Sequence, residues 1–474
     1  MLFCSQQFLV FFAAVFALYW ALPWRRPRVW LLLAASAYFY ACWNRWLALL
    51  ICASTCADYW LARGIEASAS PRRRKLLLGV SLAGNLGLLC YFKYANFFLR
   101  SLEDALHAGG AAASLPVLRV ILPVGISFYT FEAINYTVDV YRRHIRAERS
   151  LPNFLLFILF FPHLVAGPIV RARDFLPQIE RRKRWSWPRA SLGVQLFILG
   201  LFKKVIADRM ATVADPVFAD SAAYASGALW LATLTYAVQV YCDFSGYSDM
   251  ALGSAHLLGY KLVQNFDMPF LSANVAELWR RWHISLSTWL RDYVFFPLGG
   301  SRGSRWKTAR NQLITFTLCG LWHGAAWPFV AWGALQGVLL VVHRHFRELC
   351  GPRPRLRALL ETAPGTALRV GLTFLSFCLT LAIFRSPTVA DGLRMLGHMF
   401  TPHAGLEARR YGLWFVWLLL AAVALGHALG HRDRWQWLAA RLPSPVRGVG
   451  FALALAVALL LAPEAQKLFI YFVF

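Results

Sequence analysis

The sequence predicts an all-α polytopic membrane protein, and three observations predict it. Apolar runs of about 16 to 20 residues recur along the chain, each long enough for a helix to cross a bilayer. Only 15% of the 474 residues are charged while 58% are hydrophobic, and mean hydropathy is +0.49; a soluble protein carries roughly a quarter charged residues. The Lys and Arg behind a net charge of +26 gather in short segments between the apolar runs. That is the pattern left by the positive-inside rule and by anionic lipids. In a soluble chain this excess would point to nucleic acid; here the partner is the lipid bilayer, and no nucleic acid is expected.

Taken in order, spans are expected at 8–24, 29–43, 46–61, 76–91 and 116–140. Arg25, Arg26 and Arg28 close the first, Arg63 and the 72–75 cluster follow the third, and Arg142, Arg143, Arg146 and Arg149 follow the fifth. These basic ends alternate with the tight turn at Asn44-Arg45 and the Gly/Ala-rich loop at 107–114, so the basic ends are expected to face the cytoplasm and that loop to face outward. The N-terminus lacks a basic n-region and a small-residue cleavage site, so the first run is expected to remain as an anchor.

Residues 151–168 break the alternation. The segment is apolar, has basic flanks on both sides, and holds Pro162, His163 and Gly167 inside. It is expected to be re-entrant, because non-helical backbone at membrane depth survives only inside protein or along a wet cavity. Further spans are expected at 192–207, 229–240, 313–327, 329–342, 368–384, 413–429 and 449–461, giving about eleven to thirteen in all, with the C-terminus outside. Between them, 241–310 carries Arg280, Arg281, Arg291, Arg302, Arg305, Lys307 and Arg310. It is expected to face the cytoplasm with helices dipping partway into the bilayer. No internal repeat and no nucleotide-binding fingerprint interrupts a single membrane domain over 1–474, whose catalytic core is expected at about 116–345.

Nine cysteines are scattered without a CxxC pair. Most lie in apolar runs, where Cys behaves as a small hydrophobe. Cys52 and Cys56 share a helix face, but two thiols make a poor metal site. No disulfide framework, metal or bound cofactor is expected.

The chemistry concentrates in 236–337. Within it, ELWRRWHISLSTWLR (277–291) packs one histidine, three tryptophans, three arginines and a glutamate between apolar segments. Read as one helix, it puts Trp279, His283 and Ser287 on a common face and Glu277 four residues before Arg281, the favourable order for an ion pair. Arg280 and Arg291 suit phosphates of a headgroup or of a phosphopantetheine-type donor. The plainer reading is an interfacial helix with Trp anchors and snorkelling Arg. His323 lies among Gly320, Trp322, Gly324, Ala325 and Ala326, about 15 Å along a helix starting near Leu313. An ionisable group at that depth marks function by default, and an imidazole needs little tuning to act as a general base; the plainer reading is a bond to a neighbouring helix. In YCDFSGYSD (241–249), Gly246 suggests a bend between Asp243 and Asp249, which could orient an imidazole, cap a helix or pair with Arg. His163 is the remaining histidine of interest, with a packing role the alternative. His256, His343, His345, His398, His403, His427 and His431 carry no assignment.

Five stretches in order carry a family likeness: LPVGISFYTFEAINYTVDVYR (122–142), FPHLVAGPIVR (161–171), YCDFSGYSDMALG (241–253), ELWRRWHISLSTWLRDY (277–293) and GLWHGAAW (320–327). They resemble the membrane-bound O-acyltransferase family, in particular the bacterial branch that includes the alginate O-acetylation membrane protein and relatives acting on cellulose, peptidoglycan and teichoic acids. The likeness runs from the first span to the closing Phe-Ile-Tyr-Phe. It implies a ring of helices with re-entrant elements around a central tunnel. It makes His323 the principal catalytic residue and His283 its partner on the cytoplasmic side. It implies a cytoplasmic thioester, acetyl-CoA or an acylated carrier protein, as co-substrate, and acyl transfer across the bacterial inner membrane. A separate periplasmic SGNH-type acetyltransferase would then acetylate an exopolysaccharide, alginate or cellulose, within a synthesis and secretion complex. From another class, a proton-coupled transporter also uses intramembrane His and Asp with re-entrant segments, though its usual two related halves are not seen. A scaffold for polysaccharide synthesis would leave the histidines dispensable.

Overall fold

The computed structural model describes residues 1, 3–165, 167–408, 413–430, 441–461 and 469, so His431 and most of the closing Phe-Ile-Tyr-Phe lie outside the described residues. Among the described residues every regular element is a helix. The chain divides into two units, 1–197 with 248–263, and 198–247 with 264–474.

The first unit holds α1 (Gln6–Ala21), α2 (Arg25–Ala41), α3 (Arg45–Ala67), α4 (Pro71–Leu89), α5 (Ala95–Ala108), α6 (Ile126–Tyr141), α7 (Leu151–Leu159), α8 (Phe161–Leu164) and α9 (Ala172–Glu180). Ser5, Asn44 and Ser70 start α1, α3 and α4 by accepting first-turn N–H groups on their side chains, which satisfies donors a helix start leaves orphaned. Two expected boundaries move. α4 continues through a π turn at Cys90–Tyr94 into α5, so the helix outlasts the span expected at 76–91. The span expected from 116 becomes helical only at Ile126, because Pro116 and Pro123 withhold amide donors and bias their predecessors to extended backbone. Gly125 then turns the chain at φ 77°, where a Cβ would stand 2.6 Å from the Leu164 carbonyl oxygen. In the stretch expected to be re-entrant, α7 and α8 have nine and four residues and meet at Phe160. At about 1.5 Å per residue neither can cross a bilayer core of roughly 30 Å.

α10 (Trp187–Ala219) and α11 (Ser226–Leu257) contribute to both units. The second unit continues with α12 (Val275–Arg281), α13 (Ile284–Leu290), α14 (Arg305–His323), α15 (Trp327–Cys350), α16 (Pro354–Glu361), α17 (Ala363–Arg385), α18 (Val389–Phe400), α19 (Leu413–Gly430) and α20 (Ser444–Leu461). Among the described residues, four helices are long and apolar enough to cross a membrane: Pro71–Ala108, Trp187–Ala219, Ala363–Arg385 and Leu413–Gly430. Other helices at expected spans carry buried polar side chains, such as Asp58 on α3 and Asp243 on α11. The chain is an all-α polytopic membrane protein.

α14 and α15 form a hairpin whose helices touch through backbone. A Cβ on Gly320 would overlap the Phe329 carbonyl oxygen, and one on Gly333 would overlap that of Phe316. Small residues permit this approach, and it holds the end of α14, with His323, against the start of α15. Gly333→Ala is expected to force the pair apart and cost about 1–3 kcal/mol, as overpacking does. Thermal unfolding in one fixed detergent measures it; an unchanged midpoint would show that the crossing tolerates a methyl group.

Candidate active site

α12 begins with a reciprocal cap. The Glu277 N–H donates to the Asn274 side-chain oxygen at 2.8 Å, and the Ala273 N–H donates to the Glu277 carboxylate at 3.0 Å, an arrangement close to a capping box. Glu277 also pairs with Arg281 at 2.9 Å, as their spacing predicts. Both side chains are about a fifth exposed, so Arg281→Gln is expected to cost less than about 1 kcal/mol.

The single helix expected over 277–291 does not form. α12 stops at Arg281, Trp282 is extended, and His283 turns left-handed at φ 42° and ψ 54° before α13 starts. Neighbouring strand-like backbone explains the break. The Asp267 N–H takes the Arg281 carbonyl and the Ile284 N–H donates to the Asn265 carbonyl, both at 2.9 Å. Ser285 Oγ adds a bond to Asn265 Oδ1 at 2.6 Å. Those partners outcompete helix continuation, so Trp279, His283 and Ser287 do not share a helical face. Left-handed backbone costs a non-glycine residue roughly 1–2 kcal/mol and is tolerated best by Asn, Asp and His. His283→Asn is therefore expected to keep the backbone while lowering turnover about 10- to 100-fold, below the range of a lost general base. Unchanged turnover in purified H283N would remove His283 from the site.

The kink brings the two histidines together. The His283 and His323 rings lie 6.4 Å apart between centroids, and both are buried. Trp322 stands edge-on to both, at 5.5 Å from His283 and 5.0 Å from His323. Phe244 packs edge-on to His283 at 4.6 Å. Trp332 and Phe384 pack edge-on to His323 at 5.2 and 5.5 Å. His283 lies outside the membrane-crossing helices, and burial, reinforced by the His323 imidazole, holds it well below the usual histidine range. Burial thus favours its neutral form.

Behind this pair, Trp279 Nε1 donates to Gln336 Oε1 at 3.2 Å and Gln336 Nε2 donates to Thr380 Oγ1 at 2.8 Å, tying α12, α15 and α17 together. His427 stacks on Phe270 at 5.0 Å and tilts against Tyr241 at 4.8 Å. Phe244, Trp332, Gln336, Phe384 and His427 were not singled out by the sequence, where each is one apolar or polar residue inside a hydrophobic helix. Only the spacing of Trp332 and Gln336, one turn apart on α15, hinted at a shared face.

The acidic pair separates. α11 runs unbroken through Gly246 instead of bending there, because the glycine serves close packing: a Cβ on it would stand 2.6 Å from the Gly200 carbonyl oxygen. Asp243 is no cap. It accepts from Lys204 Nζ at 2.8 Å, and Lys204 also donates to Asp208 at 2.8 Å. This buried triad anchors the turn of α11 that carries Phe244, whose ring packs on His283. Asp249 and His163 belong to the first unit. There His163 Nδ1 lies 3.1 Å from the Glu132 carboxylate, which also accepts the Val170 N–H.

Two cavities open in the second unit. One, of about 390 Å3, is lined by Trp279, Arg280, Ser287, Arg291 and Phe316 among others. A second, of about 710 Å3, shares Arg280 and adds His343, Arg347, Arg357 and Arg369. Arg280, His343 and Arg347 line this one space, and burial with the two guanidinium groups pushes His343 below its ordinary value.

A helical membrane protein with paired buried imidazoles is equipped for acid–base or nucleophilic transfer chemistry, although neither ring lines the two cavities. The chain belongs to the membrane-bound O-acyltransferase family, whose model matches residues 29–365, and it is an O-acyltransferase. It is 42% identical over 408 residues to a probable alginate O-acetylase, AlgI, of Azotobacter vinelandii, covering 85% of this chain and 78% of that protein. A probable alginate O-acetylase of Pseudomonas syringae is 41% identical over 85% of this chain and 75% of its own length. The peptidoglycan O-acetyltransferase of Helicobacter pylori is 35% identical over 79% of this chain and 73% of its own length.

Proposed function

We propose that this chain, working as one catalytic domain in the bacterial inner membrane, takes an acetyl group from a cytoplasmic thioester and passes it outward for O-acetylation of an exopolysaccharide. The observation that carries the reading is the buried His283–His323 pair, 6.4 Å between ring centroids. His323 removes the proton of an acceptor hydroxyl as its oxygen attacks the thioester carbonyl. The carbon–sulfur bond breaks, and the thiolate leaves with the proton held on the imidazole. An acyl-imidazole on His323 is the other route open to the same residue. His283 receives or orients the donor, and Arg280, with Arg347 and Arg369 in the larger cavity, meets donor phosphates as either acetyl-CoA or an acylated carrier protein presents them.

The names of the relatives favour a glycan acceptor, alginate before peptidoglycan, with cellulose suggested by the sequence likeness alone. A periplasmic SGNH-type acetyltransferase, supplied separately, fits as the protein that receives the acyl group. The test is purified protein in sealed proteoliposomes, with acetyl-labelled donor outside and a hydroxyl acceptor inside. Thiol release coupled to label on the acceptor supports the reading. Label crossing with its thioester intact would identify a transporter instead.

A further inference from the structure

Five cations in the first unit line one small, shallow cleft of about 10 Å3. Arg25 and Arg28, where α1 gives way to α2, face Arg181, Arg182 and Lys183, which follow α9, with Tyr19 and Tyr260 completing the lining. The cleft is built, not a chance meeting of surface side chains. Buried Arg28 donates from Nε to the Leu22 carbonyl at 2.6 Å and from a terminal nitrogen to the Lys183 carbonyl at 3.0 Å. Its guanidinium lies over the rings of Tyr19 and Trp20, at 4.9 and 5.0 Å. Arg25 donates to the Glu180 carbonyl at 3.1 Å, and Lys183 Nζ stands 4.0 Å over the Tyr260 ring.

Among the described residues no carboxylate pairs with any of the five cations; the oxygens they reach are backbone carbonyls. Burial, Arg189 and Arg181 together lower Lys183 to about 8. A set of cations lining one cleft favours a counter-charge, and guanidinium groups beside an ammonium suit the several oxygens of a phosphate.

The surroundings fix where that phosphate comes from. Trp20, Trp185 and Trp187 form a chain of edge-on contacts at 5.2 Å each, and Trp24 and Trp187 are largely exposed. Tryptophans gathered at helix ends mark headgroup depth. Both basic segments lie at ends that charge alternation assigns to the cytoplasm, where anionic lipids concentrate. We propose that this cleft binds the phosphate headgroup of an anionic phospholipid from the cytoplasmic leaflet, joining the α1–α2 corner to the segment after α9.

The test uses the full chain in nanodiscs of phosphatidylcholine, with or without phosphatidylglycerol, read by lipid retention in native mass spectrometry and by thermal unfolding. Wild type is expected to retain phosphatidylglycerol and unfold at higher temperature with it. The triple variant R181Q/R182Q/K183Q is expected to lose the retained lipid, with affinity down about 100-fold for three basic residues. The charge-keeping variant R181K/R182K/K183R should retain it and shows that changing these positions does not itself unfold the protein. Equal retention and stabilisation in the triple variant and wild type would overturn the site. An equal rise in unfolding temperature from millimolar inorganic phosphate in phosphatidylcholine alone would overturn the lipid as its source.

Discussion

Replacing His323 by Ala is expected to lower acyl transfer by at least about 100-fold, and by up to about 10,000-fold, while leaving the protein folded. The range is that of a lost general base. The chain supports a clean deletion at this position. His323 is the last residue of α14 and the next residue is extended, so Ala meets no helical constraint it cannot satisfy. The hairpin is held by the Gly320–Gly333 crossing, not by the imidazole. Trp322, Trp332 and Phe384 enclose the ring, so water has poor access to stand in as base. The measurement is donor thiol release by purified wild type and H323A at matched protein, with unfolding midpoints recorded alongside. Wild-type turnover in H323A would leave the proposed chemistry without its base.

The largest effect on stability is expected from Lys204→Met. Lys204 is 8% exposed and Asp208 and Asp243 are 4% exposed, each carboxylate 2.8 Å from the ammonium. Removing the cation leaves two carboxylates buried together, and breaking a buried pair in this way costs about 3–5 kcal/mol. The triple variant D208N/K204M/D243N removes every charge at once and should recover much of that loss, because well-packed neutral groups replace buried ions at little cost. Thermal unfolding of both variants in one detergent decides it. If the triple variant is no more stable than K204M, the loss comes from packing and not from orphaned charge. Turnover should fall in K204M as well, since Phe244 follows Asp243 and packs on His283.

Much of this was legible in the sequence because it rests on local rules. Apolar length predicted the helices. The i,i+4 rule found Glu277–Arg281, and the glycines around His323 marked a close approach. What was not legible depends on distant partners. The break at Trp282–His283 arises from Asn265 and Asp267, whose claim on the Arg281 carbonyl and the Ile284 N–H no window around 283 reveals. Gly246 looked like a bend because a glycine between two polar residues usually is one, whereas its role is to let α11 approach Gly200. Asp243 found its cation on α10 some forty residues earlier, and Glu132 found His163 across a loop. Two of the rings enclosing His323, Trp332 and Phe384, come from α15 and α17, where a Trp or Phe in an apolar run carries no positional signal.

α12, before His283, has seven residues, and α13, after it, reaches only Phe295 even with the π turn that continues it, at or below the length at which a helix persists alone in water. Nothing within them keeps the ring in place; the surrounding bundle does. Such a segment melts locally before the long helices lose their order. Increasing denaturant or harsher detergent should therefore extinguish turnover while circular dichroism still reports most of the helicity, so the functional lifetime of a preparation is set by these two short helices, not by the rods around them.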